Sequence, residues 1–466
     1  MKLSLPVTAI LLLHVPALTN ANLEPFEFYS LPDASVSKID LDVRSLLSKL
    51  SLASEEALKD AIPTYQTPTQ AALSLQDLAI GDNEFRDFDL YEAFLEFYGD
   101  DSDFADDWMF AAFEAKDYVL DDETQINFSK LDAEGRSTAI RWGAITLNIF
   151  MGVISRLYDA IDTCDDSTEA TIVASKEEAI RKWDEAFALY TGSLAEAENP
   201  IGGYLLYNFV QVRSQNFGTC KIGEESPINK KLVRDFIKGK ALLQDGDCSD
   251  LNHYAKNIQA HLTVPIIQAS LEAMHAVDLG DNLSNVIQGE AAAFSAALAP
   301  IISTCRRERA YNIYIDMFPG NVKVHGSFEG LKHNVESSYD CLGITCADVG
   351  GLLNYNGEYV SRGEACDGVQ PVIGAGVNPS QGSSGSSGPV TEKITEVVKS
   401  RNNGKGVAFG IILAFLSGIA GGYLLYRKRM KGADKSIEDA YVDKSGAPEG
   451  DGDLELSKTV EDVEIV

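Results

Sequence analysis

The run Val407–Tyr426, VAFGIILAFLSGIAGGYLLY, constrains this chain more than any other feature, because it holds 20 residues without a charge. At 1.5 Å per residue, such a helix covers a hydrocarbon core of about 30 Å. Arg427, Lys428, Arg429 and Lys431 follow it directly. A basic cluster of this kind stays on the cytoplasmic side, so the bulk N-terminal to the span is expected outside the cell and the tail inside. The opening segment agrees. Lys2, an apolar stretch from Leu3 to Val15, and small residues at Thr19 and Ala21 before Asn22 form the layout of a secretory signal. The sequence therefore predicts a single-pass type I protein of the plasma membrane.

This topology organises the rest of the chain. We expect a signal peptide over 1–21, an N-terminal helical lobe over 22–160 and a C-terminal helical lobe over 161–370. A Gly/Ser-rich stalk over 371–406 (GAGVNPSQGSSGSSGPV at its heart), the span over 407–426 and an acidic cytoplasmic tail over 427–466 complete the order. All seven cysteines, Cys164, Cys220, Cys248, Cys305, Cys341, Cys346 and Cys366, lie on the outer side, where disulfides form. The odd number leaves one thiol free or pairing between chains. Asn127 and Asn282 begin glycosylation sequons, whereas Asn378 is followed by proline and does not. Gly406, Gly410, Ala414, Gly418 and Gly422 recur every four residues, a small-residue stripe that points to a homodimer.

The fold class reads as mainly α, because apolar residues in the ectodomain recur at helical spacing, as in Trp183, Phe187 and Tyr190. An internal echo suggests duplicated lobes. Glu92-Ala-Phe94 with Phe97 and Gly99 matches Glu185-Ala-Phe187 with Tyr190 and Gly192 at a constant offset of 93, although ordinary amphipathic helices produce such echoes too.

Charge narrows the function. Lys plus Arg total 39 against 70 Asp plus Glu, a formal net charge of -31, so the surface repels phosphate backbones and nucleic acid is excluded as a partner. No GxSxG elbow, HExxH, Walker loop or GxGxxG after a strand is present, and we expect no enzymatic activity. Carboxylates and 18 tyrosines supply hard oxygen donors, which suit Ca²⁺ or ferric iron.

Three places stand out for such a cation, each with a plainer reading beside it. The run GDDSDFADDW carries Asp100, Asp101, Asp103, Asp106 and Asp107, more simply read as a solvated loop. The helix YLLYNFVQVRSQ puts Tyr204, Asn208, Gln211 and Gln215 on one stripe with Tyr207 and Arg213 beside it, which is also what a wet helix face looks like. The segment from His253 to His275 aligns His253, Asn257, His261, Gln268, Glu272 and His275 around Pro265, with His261 as the candidate ligand. An anion partner would need an arginine, which Arg181 or Arg213 could supply.

KWDEAFALYTGS (Lys182 to Ser193), NFGTC (Asn216 to Cys220), TVPIIQASLEAM (Thr263 to Met274), and GEAAAFSAALAPII followed by Cys305 and RAYNIY resemble, in this order, the algal iron-assimilating protein family that includes the phytotransferrins. The resemblance spans about residues 85 to 345. It implies a surface receptor that captures ferric iron with carbonate and is internalised by the endocytic machinery, passing through endosomal vesicles. It marks Asp184, Glu185, Tyr190, Gln268 and Glu290 as motif positions. It transfers no ligand set, and Ala-Ser-Leu-Glu-Ala after Gln268 departs from the more basic continuation expected there. Together the two lines give Asp184, Glu185, Tyr190, Tyr204, Tyr207 and His261 as candidate iron ligands, with Arg181 and Arg213 for the anion. An adhesion or wall-associated protein without a metal site is the alternative, and zinc-dependent hydration of inorganic carbon a weaker one.

Overall fold

Local sequence signals set several helix ends. Ser54, Asp132, Ser226 and Ser284 each accept a hydrogen bond from a backbone N–H in the first turn of the following helix. One of the four donors that every helix start leaves unpaired is thereby satisfied. Pro227 takes the first position of its helix, and Gly246 at φ +76° ends it.

The computed structural model describes residues 35–79, 88–120, 125–165, 172–194, 203–279, 284–317 and 327–372. The signal peptide, nearly all of the stalk, the span over 407–426 with its glycine stripe, the cytoplasmic tail and Asn282 lie outside the described residues.

The described chain is mainly α. In order come α1 (Ile39–Leu50), α2 (Glu55–Gln66), α3 (Leu75–Ala79), α4 (Asp89–Phe97) and α5 (Phe104–Glu114). Two short antiparallel strands, β1 (Asp117–Val119) and β2 (Gln125–Asn127), pair with Tyr118 opposite Ile126. Then follow α6 (Ala133–Gly143), α7 (Phe150–Asp165), α8 (Ile172–Thr191), α9 (Leu206–Asn216) and α10 (Pro227–Asp245). The series closes with α11 (Leu251–Leu279), α12 (Asn285–Asp316), α13 (Phe328–Glu336), α14 (Tyr339–Leu342) and α15 (Cys346–Val349). A π-helical segment, Ala144–Ile149, joins α6 to α7 without a break, a form of helix common near functional sites.

Glycines set the closest approaches. A Cβ on Gly289 of α12 would sit 2.1 Å from the Gly135 carbonyl oxygen of α6, so these two helices touch backbone to backbone. A Cβ on Gly239 of α10 would likewise enter the Trp183 ring of α8, whose indole N–H donates to the Phe236 carbonyl at 2.9 Å.

By length and composition, Ala133–Asp165 and α12 are long and apolar enough to cross a membrane, but 89% and 83% of their most apolar windows are buried in the fold. They are its central helices. The buried apolar residues form one connected core from Val36 to Leu352, and α7 packs on α8 across residue 160. The two echoed segments fall in α4 and α8, ahead of Gly99 and Gly192, which share a left-handed φ of +74° and +75°.

Disulfides join Cys164 to Cys248, Cys305 to Cys341 and Cys346 to Cys366, the bonds that an oxidising compartment allows. The odd cysteine is Cys220, buried and unbridged. Burial pushes its thiol pKa up, which keeps it in the unreactive form.

Candidate anion and metal site

The Gly135–Gly289 contact fixes what lies farther along the same two helices. Glu290 follows Gly289 directly, and the last turn of α6 carries Arg141 and Trp142. The Trp142 indole N–H donates a hydrogen bond to the Glu290 carboxyl. From α9 comes Arg213, only 4% exposed, whose guanidinium lies 5.3 Å from the Trp142 ring, 5.3 Å from Phe209 and 5.4 Å from Phe294. Arg213 also pairs with Glu272 of α11. The Arg141 guanidinium also lies over the Trp142 ring, at 4.7 Å from its centre. Tyr204, 38% exposed and just ahead of α9, is close enough to act electrostatically on Arg141.

Glu290 is 8% exposed, and burial pushes its pKa up to about 7. The Arg213 charge, the indole N–H and the Arg141 charge oppose that rise, while Glu272 adds to it. Burial likewise draws Arg141 below its ordinary value, with Arg213 acting in the same direction and Glu290 against it. Two arginines in a poorly hydrated place are costly unless paired, and forked guanidinium donors match planar oxyanions. Glu272 pairs with Arg213, Glu290 feels both arginines and Tyr204 acts on Arg141, so oxygen atoms of the kind hard cations take stand near guanidinium groups of the kind oxyanions take.

The other candidate residues are distributed differently. Asp184 accepts from Lys240 of α10 at 2.7 Å, and burial raises its pKa. Glu185 pairs with Arg156 of α7 at 3.0 Å and with Arg181, which also holds Glu178. Both carboxylates thus belong to an ion-pair network tying α8 to its neighbours. The Tyr190 hydroxyl donates to Asn229 at 2.7 Å and the Tyr207 hydroxyl to Glu225 at 3.0 Å, with the two rings 5.7 Å apart inside the core. His261 faces Asp235 at 3.8 Å, and burial lowers its pKa and keeps the imidazole neutral.

Of the sequence candidates, Arg213 lies beside Trp142 and acts on Glu290, a motif position of the resemblance, while Tyr204 reaches this group through its electrostatic effect on Arg141. The stripe on α9 is not a wet face. Gln211 is fully buried, donating to the Glu224 carbonyl at 2.7 Å and accepting from the Ser226 N–H at 2.8 Å. On α11, His253 meets Asn257, His275 lies edge-on to Phe328, and Gln268 donates to the Val349 carbonyl. In the acidic run, Asp106 accepts from Tyr65 and Gln76. Among the described residues no three His, Cys, Asp or Glu side chains gather into a metal-binding group.

Sequence reasoning missed Arg141 and Trp142. Their signal was faint: an adjacent Arg-Trp pair before the Gly143–Ala144 join, in a helix otherwise read as core. No protein-family model, curated protein or solved structure matches this chain.

Proposed function

We propose that the protein is a binding protein, not an enzyme, which takes up ferric iron together with carbonate at the cell surface. Tyr204, Glu272 and Glu290 supply oxygen ligands, and carbonate bridges the metal to Arg141 and Arg213. The observation that carries this reading is the convergence of a buried carboxyl on α12, an arginine on α6, and an arginine on α9 with a partly exposed phenol just ahead of it. The anion is needed on charge grounds, since two guanidinium groups repel a trivalent cation until an oxyanion lies between them. Single-span anchorage with the ectodomain outside, delivery by endocytosis and release by protonation of carbonate in acid complete the proposal.

The test uses the full-length chain in detergent, titrated with ferric ion with and without bicarbonate. A tyrosinate-to-iron absorption band should form only with bicarbonate. Tyr204→Phe should abolish it, whereas Tyr207→Phe, which alters a phenol already donating to Glu225, should leave it. A protein that stays colourless in bicarbonate rejects the reading and favours the adhesion alternative.

A further inference from the structure

Trp142 has an unusual position: both arginines of the site lie against its ring, and its N–H engages the site's buried carboxyl. Phe209 and Phe294 pack on it at 5.4 and 5.2 Å, so the indole is clamped between α9 and α12. Arg213 and Arg141 repel each other, and the Glu272 carboxylate that pairs with Arg213 offsets this on one side. An aromatic face attracts each cation by about 0.5–2 kcal/mol without adding a negative charge that would compete with an incoming anion. The ring also restricts the rotamers of long side chains, an entropy cost met before any ligand arrives.

We propose that Trp142 is the positioning residue of the oxyanion cradle: its ring holds the Arg141 and Arg213 guanidinium groups at a common spacing, and its N–H orients the Glu290 carboxyl beside them. The assignment to an oxyanion rests on the function proposed above; the cage itself does not. In this arrangement Trp142 touches no ligand. It acts through the arginines, so its loss raises the bicarbonate requirement without removing an iron donor.

Two measurements on the full-length chain separate these layers. In iron-free buffer, phenylglyoxal modification of Arg213, followed by peptide mass spectrometry, reports the cage alone. Wild type should be protected, and Trp142→Leu should speed modification about tenfold, while Trp142→Phe, which keeps an aromatic face, should stay within about threefold of wild type. With ferric ion present, the bicarbonate concentration at half-maximal band intensity should rise about tenfold in Trp142→Leu, with the intensity at saturating bicarbonate unchanged. A purely packing role would lower the thermal midpoint without moving that concentration. An unchanged Arg213 rate in Trp142→Leu overturns the cage, as does a loss of protection in Trp142→Phe as large as in the leucine variant. Deprotection of Arg213 with no change in bicarbonate requirement overturns the link to the anion. A colourless wild type whose Arg213 is nonetheless deprotected by Trp142→Leu sinks the iron reading and leaves the cage standing.

Discussion

Glu290 is the residue whose charge state the fold alters most usefully. Its folded pKa, about 7, lies above the ordinary 4.5 because burial disfavours the carboxylate more than the arginines favour it. The folded chain therefore holds a proton across that window that the unfolded chain gives up. Stability from this group is fully present below about 4.5 and is lost as pH rises toward 7, by on the order of 3 kcal/mol. Glu290→Gln removes this slope. Urea unfolding of the iron-free protein should show the variant gaining stability relative to wild type between pH 5 and pH 8, and parallel curves would refute the assignment. The resemblance marked this position from sequence, but its electrostatics were not legible there. A glutamate in GEAAAF reads the same whether it faces water or two arginines, and only burial decides which.

The π-joined pair α6–α7 and the long α12 are the elements that build the site. Their close approach depends on Gly135 and Gly289, and a methyl group at Gly289 would have to displace backbone. Gly289→Ala should cost about 1–3 kcal/mol through overpacking, measured as a lowered midpoint in thermal unfolding. It should also weaken the bicarbonate-dependent ferric band, because spreading α6 from α12 pulls Trp142 away from Glu290. An alanine variant with wild-type stability and band would show that the two helices are not in register as described. The helices themselves were legible in the sequence: apolar spacing and Ser or Asp caps before α2, α6, α10 and α12 give their existence and starts. The continuity of α11 through Pro265 was less so, since proline normally kinks or stops a helix.

Across the described chain, three disulfides close loops of 84, 36 and 20 residues. Cys164–Cys248 spans 84 residues and connects the end of α7 to the turn before α11. Closing a loop of that size restricts the unfolded chain strongly, so replacing both cysteines with alanine should cost about 2–4 kcal/mol. Chemical denaturation of the double variant checks this, and an unchanged midpoint would contradict the pairing. One core crosses residue 160, where two lobes were expected to meet, because α7 and α8 bury their apolar faces against each other.

Sequence alone determined what depends on local pattern: the mainly helical class, which follows from a 3.6-residue apolar period, and the bridging of most of the cysteines, expected for a chain read as leaving the reducing cytosol. It also put Tyr204 and Arg213 near each other, since both sit on one short segment. Tertiary structure decided which of the many polar side chains meet. Asp184, Glu185, Tyr190 and Tyr207 look like ligands in a linear reading, yet the fold engages them with Lys240, Arg156, Asn229 and Glu225. The Arg141–Trp142 pair, Arg213 and Glu290, far apart along the chain, come together because helix packing is set by side-chain volume and glycine placement, quantities that act between segments and leave no periodic trace within any one of them.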